Sequence, residues 1–157
     1  MSDNQIKERG PGPFMMSIYI ILFLIIAAYL FFGVFSPWYY GKSARVMATK
    51  TMHAQTIKYI KSEYNKCKTG ESKFMSNSQD CPATAIKAVT GAIERMVDKN
   101  PYDTSKKAVR EFNNNKDDKD VGFISLSASG SSVVIRSCIS KPCYDEKNRL
   151  QDSIEVQ

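Results

Sequence analysis

The 157-residue sequence predicts an α+β protein in which a long N-terminal helix packs on a small antiparallel β-sheet, with one further helix. Three observations support this fold class. A long uncharged apolar run lies near the N-terminus, and in the segment after it the apolar residues recur every three or four positions, as in a helix. Near the C-terminus the apolar period becomes two, which is typical of strands. Helices that precede a run of strands along the chain are characteristic of α+β proteins.

The first element is the apolar run Phe14 to Phe35, which contains no acid or base. As a helix it would be about 33 Å long, enough to cross a hydrocarbon core of about 30 Å. A secretory signal peptide has a shorter apolar region, and this run ends at an aromatic cluster, Trp38-Tyr39-Tyr40, that suits a membrane interface. We therefore predict a single transmembrane helix over 14–40, preceded by a cytoplasmic head or leader over 1–13. This excludes a purely soluble monomer.

Two observations on membrane orientation conflict. Lys42, Arg45 and Lys50 follow the span, and the rule that positive charges stay inside would place the C-terminal part in the cytoplasm. All the cysteines, however, lie beyond the span, and an even number of cysteines in a small domain indicates disulfides in an oxidising compartment. We predict the second arrangement: a single-pass protein with a cytoplasmic N-terminus and an extracytoplasmic C-terminal domain.

The next element is an amphipathic continuation of the helix over 41–67. No proline or glycine interrupts 44–67, so the helix is predicted to run on without a break. Lysines occupy the face opposite an apolar stripe. The stripe recurs at helical spacing and consists of His53, Ile57, Ile60, Tyr64 and Cys67. His53 has no acid or nucleophile nearby in sequence, so a packed or exposed helix position is expected for it rather than catalysis.

A globular head is predicted over 68–157. Residues 68–81 are polar and turn-rich and are expected to form a loop, after which Pro82 can open a helix over 82–98. Ile86, Val89, Ile93 and Met96 would form the buried stripe of that helix. Asn100-Pro101-Tyr102-Asp103 is a turn signal, and 112–120 is polar enough to be an exposed loop.

The last elements are three strands, 121–127, 132–139 and 150–156, which form a C-terminal β-meander over 121–156. Their alternating apolar residues would face the helices. The predicted helix–sheet core consists of Ile57, Ile60, Tyr64, Ile86, Ile93, Ile124 and Ile135.

The cysteines Cys67, Cys81, Cys138 and Cys143 are predicted to form two disulfides, with three connectivities open. Pairing of Cys67 with Cys81 would close a loop of about 15 residues and contribute about 3 kcal/mol, and the shorter loop between the other two would contribute less. Zinc binding is the alternative, but a C-x2-C pair, the usual zinc spacing, is absent from the sequence.

The sequence contains no recognisable catalytic set, so we expect a protein that is not an enzyme, with no cofactor and no small-molecule substrate. Asp117, Asp118 and Asp120 beside Asn113–Asn115 could bind calcium, but lysines interrupt the run, and a solvated loop is the preferred interpretation. The formal charge of +6 resides after the span. A basic exterior attracts phosphate-rich polymers and anionic surfaces, so weak binding to DNA or to an anionic surface is a secondary expectation.

This order of elements resembles the type IV pilin and pseudopilin family. Pilins carry a proline within the apolar segment, then tyrosines and, eight residues after the proline, an arginine; Pro37, Tyr39, Tyr40 and Arg45 match that pattern. Asn100-Pro101-Tyr102 looks like the family's Asn-Pro-aromatic turn, and Cys138 and Cys143 lie where its C-terminal disulfide loop lies. The chain differs in two respects. With Pro37 and Arg45 as the reference, the first mature residue is Met16, and Met15 precedes it where the family's leader ends in glycine. The fifth mature position, a glutamate in the family, is Ile20.

The resemblance implies a structural subunit, major or minor, of a bacterial cell-surface pilus (fimbrium), assembled through its hydrophobic N-terminal helix. The partners would be the membrane, further copies of the chain and other pilin-like subunits. The residues implied in filament or membrane packing are Phe14, Ile18, Ile21, Ile25, Tyr29, Phe32 and Pro37. The alternative is a single-pass membrane anchor for an extracytoplasmic interaction domain in an envelope or secretion complex, not assembled into filaments.

Overall fold

The computed structural model describes residues 13–112 and 114–156, with side chains throughout except at 13–14 and 34–40. The chain divides into two compact units, the first ending at Lys42 and the second beginning at Ser43. The fold is α+β, as predicted: an apolar N-terminal helix, two further helices and small sheets.

Helix α1 spans Pro13–Leu30 and is followed by a π-helical turn, Phe31–Phe35, and by helix α2, Ser36–Lys68. The π turn ends two residues before Pro37, which has no N–H for the regular i→i−4 bond. Helix α2 includes the predicted amphipathic segment. Its lysines Lys50, Lys58 and Lys61 are exposed, whereas Ile60 and Tyr64 are buried.

The predicted loop 68–81 contains a short hairpin, β1 Lys73–Phe74 paired with β2 Gln79–Asp80. Phe74 and Met75 are fully buried, so the prediction of a plain polar loop was incomplete. The turn that joins the strands holds Met75, Ser76 and Asn77 at positive φ. The backbone N–H of Ser76 donates to Glu63 Oε2 at 2.9 Å, which ties the hairpin to α2.

Helix α3 spans Ala85–Arg95 and is shorter than the predicted 82–98. Thr84 caps it by accepting from the Lys87 N–H, so Pro82 precedes the helix rather than opening it. The buried face is mostly small and consists of Ala85, Ala88, Val89, Gly91 and Ala92.

Ile86 lies off this face and is 71% exposed, which corrects its assignment to the core, and Ile93 is only partly buried. The physical reason is close packing of the helix. A Cβ on Gly91 would lie 2.6 Å from Met75 Cβ, so the small residues must face inward for α3 to approach the hairpin.

Two strands precede the main sheet, β3 Lys99–Asn100 and β4 Asp103–Lys107, and they pair antiparallel. The main sheet has four strands in the order β5-β6-β7-β8: β5 Val109–Glu111, β6 Ile124–Ser129, β7 Ser132–Cys138 and β8 Arg149–Glu155. Strands β6, β7 and β8 form the predicted antiparallel meander. Strand β5, which pairs parallel to β6, was not predicted. The first meander strand begins at Ile124 rather than at 121, and a two-residue turn at Gly130 (φ 59°) and Ser131 connects it to β7.

The core lies where α2, α3 and the β1–β2 hairpin meet one face of this sheet. Of the predicted core residues, Ile60, Tyr64, Ile124 and Ile135 are buried. Ile57 is partly buried and packs at the edge of the same cluster.

Candidate functional site

The apolar surface of the first unit is the largest candidate interaction site. Met15–Gly33 is the one helix, among the described residues, that is long and apolar enough to cross a membrane. Its side chains are all exposed, including the predicted packing residues Ile18, Ile21, Ile25, Tyr29 and Phe32. The side chains of Phe14 and Pro37, which were also predicted to pack, lie outside the described residues. Apolar surface of this extent must be covered by lipid or by protein.

The structure places His53 at a packed helix position, as expected, and brings it together with an acid and a hydroxyl that lie far from it in sequence. His53 Nε2 lies 2.9 Å from Asp152 Oδ2, and His53 Nδ1 lies 2.9 Å from Ser137 Oγ. An ionised carboxylate can only accept, so Nε2–H donates to Asp152. In the neutral ring Nδ1 then accepts from the Ser137 hydroxyl.

A serine, a histidine and an aspartate in a chain of hydrogen bonds resemble a hydrolase triad, but the burial contradicts nucleophilic chemistry. Ser137 is 0% exposed and His53 is 3% exposed, so a substrate carbonyl has no approach to Ser137 Oγ. The three residues come from α2, β7 and β8. Their hydrogen bonds therefore hold α2 on the sheet, and Ser137 is not placed to attack a substrate.

The predicted turn Asn100-Pro101-Tyr102 lies against the start of the meander. Asn100 is fully buried, donates from Nδ2 to the Val121 carbonyl at 3.0 Å and accepts from the Tyr102 N–H at 2.8 Å. Gly122 (φ 81°) allows this approach, because a Cβ there would collide with Asn100 Oδ1.

Tyr102 connects this turn to two other parts of the second unit. Its hydroxyl donates to the Ile139 carbonyl at 2.6 Å, and the Arg45 guanidinium lies 5.8 Å from its ring centroid. Burial raises the pKa of the Tyr102 hydroxyl, and the positive charge of Arg45 partly opposes that rise. The residues that match the pilin pattern, Arg45 and the Asn-Pro-Tyr turn, are thus in contact.

The four cysteines form two disulfides, Cys67–Cys81 and Cys138–Cys143. The first joins the end of α2 to the end of the β1–β2 hairpin. The second closes the segment after β7, where Cys138 and Cys143 are fully buried beside Val121 and Tyr102. Both pairs join neighbours in sequence, so each reinforces a local loop.

The aspartate-rich segment is not a plain exposed loop. Asp120 is buried and pairs with Arg110, whose guanidinium also lies 4.0 Å from the Phe123 ring centroid. Asp117 caps the short 3-10 turn that follows it, and Asp118 Oδ1 accepts from the Cys143 N–H at 2.7 Å. The carboxylates point to different protein partners, an arrangement unlike a shared calcium site. Asn113 lies outside the described residues.

Asn115, in the same segment, is also buried. Its side-chain amide donates to the Phe123 and Arg136 carbonyls, and its oxygen accepts from the Ser125 hydroxyl. Sequence reasoning missed this role because a run of asparagines looks solvated. The sequence carried a weak signal for the buried hydroxyl of Ser137, because strand alternation places it on the same face as Ile135.

Comparison of the chain with protein-family models, with curated proteins and with solved structures finds no match.

Proposed function

We propose that this chain is a structural subunit of a type IV pilus-like filament, assembled through its hydrophobic N-terminal helix. The observation that carries the proposal is the exposed apolar surface of Met15–Gly33, in a chain whose second unit is stabilised by its own core and disulfides. Such a helix can lie in lipid before assembly and pack against the same helix of other copies afterwards. The surface stays covered in both states, so the exchange between them need not expose it to water.

Contacts within the second unit support the resemblance. Arg45 lies over Tyr102, the Tyr102 turn lies on Gly122, and the Tyr102 hydroxyl bonds the backbone next to Cys138. A helix, the Asn-Pro-Tyr turn and the C-terminal disulfide loop are thereby joined. In the proposed filament this connection would hold the head in one orientation on its helix.

The proposed topology places the N-terminus in the cytoplasm and the second unit outside. Disulfides persist in oxidising compartments, which favours this orientation over the one that the lysines after the span would suggest. Mass measurement of the protein from cells, after thiol blocking without a reductant, tests the topology. Four blocked thiols would contradict it.

Site-specific crosslinking tests assembly. All four native cysteines are paired, so Ile21→Cys introduces a new thiol into the apolar helix, and Ile86→Cys introduces a matched thiol on the exposed face of α3. We expect Ile21→Cys to give disulfide-linked dimers in fibres sheared from cells, and Ile86→Cys to give few. Absence of the chain from sheared fibres would overturn the filament proposal.

A static membrane anchor for an extracytoplasmic interaction domain is the second candidate, and one observation favours it. The apolar segment has no acid, and Ile20 stands where the resemblance implies a glutamate that pairs with a neighbouring N-terminus. An uncharged helix loses nothing by remaining in lipid. Mass spectrometry of the N-terminus of the cell-bound protein separates the two, since an intact Met1 together with an absence of shed fibres supports the anchor.

A further inference from the structure

A cleft on the outer face of the main sheet is independent of the apolar helix and of filament assembly. It has a volume of about 590 Å³, within the range of small-molecule sites. Three segments form it: residues 114–116, the outward side of β7 and β8, and the 3-10 turn Glu146–Asn148. Ser137 and Leu150 also border the cleft. Strand alternation places the Arg136 and Gln151 side chains on the face opposite the one that carries Ile135 and the Ser137 hydroxyl.

The charges that line the cleft are unequal. Lys116, Arg136 and Arg149 contribute three cations, against the single carboxylate of Glu146. Glu146 is 93% exposed, and its Oε1 lies 3.5 Å from Arg149 Nη2, so solvent weakens this pairing. The cleft therefore retains an excess of positive charge.

Arg136 is held in place by its neighbours. Its Nε donates to Gln151 Oε1 at 3.0 Å and its Nη1 donates to Ser127 Oγ at 3.1 Å. Asn115 Nδ2 bonds the Arg136 carbonyl at 3.2 Å, which holds the 114–116 segment against the strand. An anion would thus meet a guanidinium that is already ordered, at little further cost in side-chain entropy.

Arg149 carries a polar atom that no protein group satisfies. Its Nε is the buried side-chain nitrogen that has no hydrogen-bond partner within the described part of the chain. A buried donor without an acceptor is costly, and native proteins usually supply the acceptor, from protein, water or ligand. Nε and Nη2 form one edge of the guanidinium fork, so an oxyanion that took the place of the exposed Glu146 carboxylate at Nη2 would present a second oxygen to Nε.

We propose that this cleft binds the phosphate group of an anionic ligand. Cations that come from three different segments suit a tetrahedral group, which presents oxygens in several directions, better than a planar carboxylate. The described lining residues include no aromatic side chain on which a base could stack, so recognition is through the phosphate and not through a base. The phosphate can belong to a small ester or to a nucleic-acid backbone.

The test uses the full chain in a neutral detergent, observed by amide NMR during titration with inorganic phosphate, glycerol 3-phosphate and a short oligothymidylate. We expect saturable shifts at residues 114–116, 136 and 149–151. Tighter binding of glycerol 3-phosphate than of oligothymidylate assigns a small ester, and the reverse order assigns a strand backbone. The proposal is wrong if none of the three probes shifts these residues.

Charge-matched variants separate a site from general attraction. Arg149→Gln should weaken binding by about tenfold, and Arg149→Lys, which keeps the charge but loses the fork, should weaken it less. Lys58→Gln removes the same charge from an exposed position on α2 and should change affinity less than about twofold. Equal losses of ligand affinity in Arg149→Gln and Lys58→Gln would overturn the proposal. Lys116→Gln, at an exposed position of the cleft, replaces Arg149→Gln if that variant does not fold.

Discussion

The His53 hydrogen-bond chain gives the sharpest test of how the helix is held on the sheet. His53→Leu introduces an apolar side chain of similar size and removes both hydrogen bonds. It leaves the Ser137 hydroxyl, 0% exposed, without its partner, which costs about 1–3 kcal/mol. Asp152 has a side chain that is 53% exposed, so water replaces its lost partner at a cost of at most about 1 kcal/mol. We expect a total loss of about 1–4 kcal/mol.

The same geometry predicts that two further variants differ. Asp152→Asn should cost at most about 1 kcal/mol because its side chain is half exposed. The double variant Ser137→Ala with His53→Leu has no buried hydroxyl left without a partner. Its loss of unfolding free energy should therefore be smaller, by about 1–2 kcal/mol, than the sum of the losses in the two single variants.

Pulse proteolysis of the full chain across a urea series, in neutral detergent with the disulfides intact, measures these free energies of unfolding. Two results would contradict the reasoning: additive costs for His53→Leu and Ser137→Ala, or a loss in Asp152→Asn as large as that in His53→Leu. Either result would mean that burial of Ser137 does not control the free energy of the His53 hydrogen bonds.

Three further predictions concern the second unit. Replacing Cys67 and Cys81 together by serine should cost about 3 kcal/mol of unfolding free energy by loop entropy, measured by the same proteolysis and compared with a reduced wild-type sample. Gly91→Ala should destabilise the fold, because overpacking against the fully buried Met75 costs about 1–3 kcal/mol. The gain in helix propensity is smaller, up to about 1 kcal/mol. A rise in the thermal midpoint of unfolding would show instead that the helix can move away from Met75. Because burial raises the pKa of Tyr102, the folded state keeps this proton to higher pH than the unfolded state does. Stability should therefore fall as pH rises above the unfolded value of about 10, and Tyr102→Phe should flatten that fall relative to wild type in alkaline melts.

Patterns that repeat along the chain were predicted well. The apolar run, the amphipathic stripe of α2 and the alternation in the meander each involve several residues of one type, so single exceptions do not change the interpretation. Ile60, Tyr64, Ile124 and Ile135 were identified as core by these periods, and all four are buried.

The errors arose where partners distant in sequence outweigh local composition. Residues 68–81 are polar overall, yet Phe74 and Met75 fill the space beside α3. Ile86 was placed inside because it lies at helical spacing from Val89 and Ile93, whereas close contact with the hairpin selects the small face of α3. In both places the decisive quantity is the distance between packed elements, which no local period records.

The sequence alone determined that this chain has an uncharged helix long enough to cross a membrane, followed by a basic α+β head with four cysteines. Hydrophobic length and period are local properties, so they can be read directly from the chain. Only the tertiary structure placed His53 between Ser137 and Asp152, and Arg136 beside Arg149 and Lys116 around one cleft. Contacts between residues far apart along the chain depend on how the strands pair and which way each side chain faces, and those are decided when the sheet closes on its helices.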